Sequence, residues 1–361
     1  MPRIREYDVA KGIGIFLVII GHNFSQGYTH QFIYSFHMPL FLIISGALLS
    51  HNSNSIEIHI THFFKKNEQL LANYILFSLT YIVFDAIFRV GILHQVQSNF
   101  LFWDVYQTGS LFGINVLWFV SSLILAKWVG LRLIRRIKKE SVLLLLAILL
   151  LAVCAIVAKF TPDLSSLNGI QKLFYFPAVG VFRDLLMAGF YVIGYVLQNF
   201  LTIFVINPSS WVFPISAATL LVLNFLLCSF TANVDYHYLI LGNSPLTFLL
   251  SVTGAIGVLG VSHLLIKLIK ISNFLTYWGR NSLFVMETHE YFLLKNAIVY
   301  VLALVFGQSY LSSDSIIIVL LLVFVEFILI RIVSPLVDIL TIRLQLLLER
   351  IMHKREVQHG R

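Results

Sequence analysis

Long apolar stretches alternate with short polar connections along the whole chain. A transmembrane helix needs roughly 20 apolar residues, and about ten stretches come close to that length. They are residues 9–28, 31–50, 70–92, 111–133, 141–158, 180–198, 210–229, 245–270, 281–307 and 314–341. The pattern therefore predicts an all-α fold, a polytopic membrane helical bundle of about ten transmembrane helices.

The composition excludes a soluble domain. Of the 361 residues, 58% are hydrophobic and only 12% are charged, whereas soluble domains have about 25% charged residues. We expect no removable signal peptide before the first span. Cys154 and Cys228 both lie in apolar stretches, so we expect buried thiols. The net charge of +8 is better explained by basic cytoplasmic loops than by nucleic-acid binding.

The distribution of charge predicts the orientation. If the amino terminus is cytoplasmic, the basic connections all fall on the cytoplasmic side: Lys65, Lys66, residues 132–140, Lys267, Lys270 and Arg280. The opposite loops hold mainly acidic residues, namely Asp104, Asp163, Asp235 and Asp314. Membrane proteins keep positive loops inside, so we expect both termini to be cytoplasmic. The predicted organisation is an integral-membrane domain over 1–345 and a basic cytoplasmic tail over 346–361.

The first span carries the most informative pair of residues. Lys11 and His22 are separated by ten others, so on a helix they share one face roughly 16 Å apart. Asp8 lies one turn before Lys11. An ionisable side chain within a membrane segment indicates a functional site. The alternative is structural: Lys11 snorkels to the interface, and His22 bonds a neighbouring helix.

Further polar side chains fall within or beside later spans. His37 precedes Met38-Pro39 in the second span, where a proline frees a backbone carbonyl and can shape a cavity. Glu287, His289 and Glu290 lie in the ninth span, and Glu326 lies in the last. Burial of these acids is costly unless a basic partner neutralises them.

Two surfaces are candidates for ligand contacts. An inner cluster would attract phosphate, either of lipid headgroups or of a nucleotide-like ligand; its members are His62, Lys65, Lys66, Lys267, Lys270 and Arg280. On the other side, Trp118 opens the fourth span, and Arg183 and Asp184 begin the sixth. Interfacial anchoring explains Arg183 and Asp184 about as well as ligand binding does, and it is the usual explanation for an interfacial aromatic such as Trp118.

Five segments together resemble the acyltransferase 3 family of integral-membrane acyltransferases. They are REYDVAKGIGIFLVIIGH, FHMPLFLIISG, FFKKNEQLLANYILF, NVLWFV and FLTYWGRNSLFVMETH. In the first, a basic residue and a histidine are separated by ten others, as in the family signature. The chain departs from the family pattern at Trp278, at Met286-Glu287, at Asn73, and at Lys65 and Lys66, where the family often has arginines.

The resemblance implies an O-acetyltransferase of a bacterial inner or plasma membrane. Its donor would be acetyl-CoA, its acceptor a hydroxyl of a cell-surface or lipid-linked carbohydrate, and no metal or nucleic acid is expected. Our site assignment has three parts. The catalytic residues are His22, Asp8 and Glu287; the cofactor-binding residues are Lys11, Lys65, Lys66, Arg280 and His37; the substrate-binding residues are Trp118, Arg183, Asp184, Asn281 and His289.

In the expected mechanism, His22 is the base that takes the hydroxyl proton, and Asn281 or backbone N–H groups stabilise the oxyanion. An acyl-histidine intermediate is the alternative chemistry. We expect the reaction centre to be reached from both faces of the membrane. Two other classes of protein fit the pattern: a secondary transporter with buried His and Glu, although no inverted repeat is visible, and a membrane structural or sensing protein. The acceptor, the acyl chain length and the oligomeric state stay open.

Overall fold

The computed structural model describes residues 4–24, 26–51, 63, 67–87, 99–206, 212–290, 294–306 and 315–359. Lys65, Lys66 and His62 lie outside these residues. The described chain is all-α, and its helices are α1 Arg5–Asn23, α2 Tyr28–Tyr34, α3 His37–His51, α4 Glu68–Ala86, α5 Phe100–Gly109, α6 Trp118–Arg136, α7 Glu140–Phe160, α8 Gly169–Ile206, α9 Val212–Leu227, α10 Ser244–Leu265, α11 Ile269–Arg280, α12 Ser282–Thr288, α13 Leu294–Phe306, α14 Ile316–Ile332 and α15 Ser334–His359. The described part of the chain contains no β-strand, only an isolated antiparallel bridge between Asp235 and Ile240.

Seven stretches are long and apolar enough to cross a membrane within the described residues, and an eighth is the pair α14 and α15, bent by 51°. The seven are Tyr28–Leu49, Glu68–Ala86, Asn115–Arg136, Glu140–Phe160, Gly169–Gln198, Val212–Thr231 and Ser244–Leu265. These helices, in a chain this apolar, make a multi-pass membrane protein. They correspond to seven of the expected spans, and the count of ten is not confirmed.

The expected ninth span, residues 281–307, is wrong as a continuous helix. The structure divides this region into α12, of 7 residues, and α13, of 13 residues. Neither approaches the length of about 20 residues that a spanning helix requires. The expected first span is a helix of 19 residues, α1, but Arg5, Glu6, Asp8 and Lys11 make its first half polar.

Helix α1 lies at the centre of the bundle and packs against α2, α3, α10, α11, α12 and α14. Its closest neighbour is α11. A Cβ at Gly12 would lie 2.2 Å from the carbonyl oxygen of Leu275, and a Cβ at Gly279 would lie 1.7 Å from that of Asp8. Only glycine fits at either position, so the two backbones are in direct contact.

The long helix α8 organises the other side of the bundle, where it packs against α3, α6 and α7. Glycines at the interface also bring α3 and α8 into close contact. A Cβ at Gly46 would lie 1.9 Å from the carbonyl oxygen of Tyr191, and one at Gly194 would lie 2.1 Å from that of Ile43. Backbone contacts at glycines therefore fix the positions of both α1 and α8.

We expect Gly279→Ala to lower the free energy of unfolding by about 1–3 kcal/mol, because the added methyl overpacks the contact between α1 and α11. Thermal unfolding of the purified protein in detergent measures the effect. Gly109→Ala is the matched control, since a Cβ at Gly109 would meet nothing within 4 Å. Equal melting temperatures for the two variants would contradict the prediction.

Candidate active site

His22 lies in the last turn of α1 and faces an acidic partner. Its Nδ1 is 2.8 Å from Oε1 of Glu290, and each side chain is about one-quarter exposed. Glu290 lies two residues after the end of α12, and its carbonyl oxygen accepts a hydrogen bond of 2.8 Å from Tyr81 Oη. A carboxylate at Nδ1 favours the tautomer that leaves Nε2 free of hydrogen and able to accept a proton.

Two more rings pack against His22, and a third packs against one of them. The ring centroids of His289 and Tyr34 lie 4.9 and 5.9 Å from that of His22, and Tyr34 lies 4.8 Å from His37. His37 Nδ1 is 2.9 Å from the carbonyl oxygen of Ile33, and His289 Nδ1 has the same relation to that of Val285. A carbonyl only accepts, so both imidazoles donate from Nδ1.

A small cavity of about 180 Å³ opens beside these rings. It is lined mainly by polar and aromatic side chains, among them His22, Tyr34, His37, Trp118, Asp235 and His237. The first four come from helices or their starts, and the last two come from the loop between α9 and α10. The structure therefore brings the candidates His22, His37 and Trp118 together, with His289 in contact with His22.

The loop between α9 and α10 is held in a tight turn. Asp235 and Ile240 exchange two backbone hydrogen bonds of 2.8 Å, and Leu239 has a φ of 58°, in the left-handed region. Asp235 Oδ1 accepts a further bond of 2.9 Å from the backbone N–H of His237. The turn fixes the part of the cavity wall that this loop supplies.

His237 stacks on Trp118, with ring centroids 5.4 Å apart and planes inclined by 6°. Burial lowers the pKa of His237 well below its usual range, and burial raises the pKa of Asp235. His237 is therefore neutral at physiological pH. The sequence gives no signal for this residue, because it lies in a loop and outside every recognised motif.

Arg183 and Asp184 lie inside α8 and not at the outward start of a span, so that expectation is wrong. Arg183 is completely buried. Its Nε donates to Asp184 Oδ1 at 3.2 Å, and its Nη1 donates to the carbonyl oxygen of Phe112 at 2.9 Å. Its guanidinium lies 5.3 Å from the ring of Trp118. The pair supports the cavity wall from behind, and direct contact with an acceptor stays a prediction.

The opposite end of α1 carries a cluster of charges. Asp8 is buried, with Oδ1 3.9 Å from Lys11 Nζ and Oδ2 3.6 Å from Arg280 Nε. The side chain of Arg280 is 54% exposed, which leaves much of its guanidinium accessible. Asp8 therefore holds two cations side by side. It lies about 21 Å along the helix from His22, so the structure does not place it beside His22, and its catalytic role stays a prediction.

Glu287 is also separate from His22. Its Oε2 accepts a hydrogen bond of 3.4 Å from Asn73 Nδ2, and Asn73 Oδ1 accepts one of 2.9 Å from Thr341 Oγ1. Glu290, and not Glu287, is therefore the acid paired with His22, and the catalytic role assigned to Glu287 stays a prediction.

Asn281 lies between α11 and α12, where its Nδ2 donates to the carbonyl oxygen of Tyr277 at 2.7 Å. It follows Arg280 directly and does not line the small cavity. The structure therefore does not bring it to the position of an oxyanion donor beside His22. Within the described residues, no group of three His, Cys, Asp or Glu side chains could hold a metal ion.

A family model described as an acyltransferase domain matches residues 4–335. The chain belongs to the acyltransferase 3 family. No curated protein and no solved structure matches it significantly. The match runs from the start of α1 to the start of α15, and so it includes the charge cluster, the small cavity and the pair of His22 and Glu290. The protein is accordingly a membrane acyltransferase by family.

We expect Asp184→Ala to destabilise the protein by about 3–5 kcal/mol, because it leaves the buried guanidinium of Arg183 without its counter-ion. The double variant Arg183→Met with Asp184→Leu should recover much of the loss, since it removes both charges. Melting temperature and the yield of folded protein measure both effects. Asp338→Ala, at an exposed position of α15, is the control. A double variant less stable than Asp184→Ala would contradict the prediction.

Proposed function

We propose that this protein transfers an acetyl group from acetyl-CoA to a hydroxyl group of a cell-surface or lipid-linked carbohydrate. The observation that carries the proposal is the arrangement of α1. One end of this helix holds Lys11 beside Arg280, and the other presents His22, oriented by Glu290, to a small cavity. A phosphate-binding end and a base thus lie on one helix, roughly 16 Å apart.

Lys11 and Arg280 are the proposed partners of the coenzyme A phosphates. Asp8 holds both cations at one site, and Arg280 stays accessible. Phosphate groups are recognised by such paired cations. The pantetheine arm would then follow α1 toward His22 and deliver the thioester to the cavity. We place the charge cluster on the cytoplasmic side, where the donor is made, in a bacterial inner or plasma membrane.

His22 is the proposed general base. As the acceptor oxygen attacks the thioester carbon, Nε2 of His22 takes the hydroxyl proton and a C–O bond forms. The tetrahedral intermediate then collapses, the C–S bond breaks, and the proton passes from His22 to the thiolate sulfur of coenzyme A. Glu290 stabilises the imidazolium that forms between these steps, as the carboxylate of a catalytic triad does. No electron is gained or lost overall.

The cavity favours a short acyl group and a polar acceptor. A volume of about 180 Å³ accommodates an acetyl group and a sugar hydroxyl, whereas a long acyl chain would need more room. Trp118 and Tyr34 line it with flat rings that carry N–H and O–H donors. The carbohydrate class of the acceptor rests on the family resemblance.

We expect His22→Ala to reduce transfer by about 10²–10⁴-fold, the usual cost of losing a positioned base. Glu290→Gln should cost less, and the double variant should be no slower than His22→Ala, because residues that act as a unit are not additive. Release of coenzyme A in the presence of acceptor measures the rate. Unchanged melting temperature and coenzyme A affinity are the controls. Multiplicative losses in the double variant would contradict the pairing.

We expect Lys11→Ala to weaken coenzyme A binding by about tenfold, the effect of losing one charge-assisted contact. Lys11→Arg should retain most of the affinity, because it preserves the charge. The fold should persist, since Arg280 still neutralises Asp8. Lys138→Ala is the matched control, because Lys138 is exposed and belongs to the basic 132–140 connection. Calorimetric titration with coenzyme A measures the change. Equal affinities of the Lys11→Ala and Lys138→Ala variants would leave only an anchoring role for Lys11.

A further inference from the structure

A second and larger cavity lies at the same end of the bundle as His22. Its volume is about 680 Å³, within the usual range of ligand sites. Its walls are the end of α7, the turn 161–165, the start of α8 and the segment 238–244. None of these segments belongs to the five motifs that identify the family.

Two lysines line this cavity, Lys159 near the end of α7 and Lys172 in the first turn of α8. Neither makes an ion pair with any residue that the structure describes. The ammonium group of Lys172 lies in an electrostatically unfavourable position, because the first turn of a helix has a partial positive charge. A bound anion would neutralise the positive charges of both lysines.

One acidic residue, Asp163, also lines the cavity, but its carboxylate already accepts hydrogen bonds within its own turn. Asp163 Oδ1 accepts hydrogen bonds of 2.8 Å from both the backbone N–H and the hydroxyl of Ser165. These bonds lower the pKa of Asp163, so the carboxylate is ionised and holds the turn. Two lysines against this one aspartate leave the cavity with a surplus of positive charge.

The basic connections that we expect on the cytoplasmic side do not account for these two lysines. α7 begins beside the basic 132–140 connection and ends at Phe160, so its two ends lie at opposite ends of the bundle. Large apolar side chains on the cavity segments face outward: Phe160 is 82% exposed and Phe174 is 75% exposed. In a membrane protein such side chains face lipid, so a ligand attached to a lipid can approach the cavity from the bilayer.

Tyr238 connects this cavity to the site of His22, because its side chain lines both cavities. The turn that Asp235 and Ile240 hold is therefore the partition between them. Tyr238 packs against His237, with ring centroids 4.4 Å apart. A ligand held in the larger cavity needs only to pass this partition to reach the base.

We propose that the larger cavity is the anchoring site of a lipid-linked acceptor, and that Lys159 and Lys172 bind its phosphate. This inference rests on the proposed acyl transfer to a lipid-linked carbohydrate and names the group by which the acceptor is held. The apolar walls receive the first carbons of the lipid, and the sugar extends past Tyr238 toward His22.

Citronellyl phosphate, a short prenyl phosphate, tests the site directly. The full chain is placed in phosphatidylcholine nanodiscs, and the rise in melting temperature on titration reports binding. We expect the K159Q/K172Q variant to bind about tenfold or more weakly than the parent, since two charge-assisted contacts are lost. The K138Q/K139Q variant, which removes two exposed lysines at the other end of α7, should bind as the parent does.

Three results would overturn the inference: equal binding by the K159Q/K172Q variant, equal binding of uncharged citronellol, or displacement of the ligand when phosphatidylglycerol replaces phosphatidylcholine. The last would identify an ordinary lipid-headgroup site. If the K159Q/K172Q variant does not fold, two further sets of variants test the inference. The K159R/K172R variant should retain binding, because arginine keeps both charges, and each single glutamine variant should lose only part of the affinity. Coenzyme A binding is recorded on the same samples. Its failure would contradict the proposed donor while leaving the phosphate site intact.

Discussion

The backbone contact between α1 and α11 is the constraint on which the site depends. Gly12 and Gly279 allow the two helices to touch, and the contact places Arg280 against the buried carboxylate of Asp8. Because α1 is one continuous helix of 19 residues, fixing its first half also fixes the direction in which His22 points at the other end. A side chain at either glycine would separate the helices and move both ends of the site at once.

The second requirement is that polar groups within the bundle satisfy one another. The guanidinium of Arg183 has one acidic neighbour, Asp184, and two backbone carbonyls of the segment before α6. Asp184 in turn accepts a hydrogen bond of 2.5 Å from Ser122 Oγ. Because these groups are buried, each of them would be costly without its partners. Together they determine where the chain enters α6, and hence where Trp118 stands.

Much of the architecture could be predicted from the apolar stretches, which mark the spanning helices well. The pattern failed at 281–307, because hydropathy measures composition and not continuity, and a break such as that after Thr288 needs only a few residues. Lys11 and His22 could be identified because both lie on one helix at a fixed spacing. Glu290 could not be assigned to His22, since 268 positions separate them and only the tertiary packing brings them together. His237 had no detectable signal at all.

The position of the turn from Asp235 to Ile240 has a consequence for how such an enzyme can diversify. The proposed donor half of the site is built on α1 and α11, where glycine contacts restrict change. The proposed acceptor half includes the loop between α9 and α10, and loops tolerate substitution more readily than helices in contact do. Because this turn is held by its own backbone bonds, its side chains can be replaced without moving α1. If the proposed function holds, new acceptors can be acquired by exchanging a few loop residues, while the chemistry of the thioester is inherited unaltered.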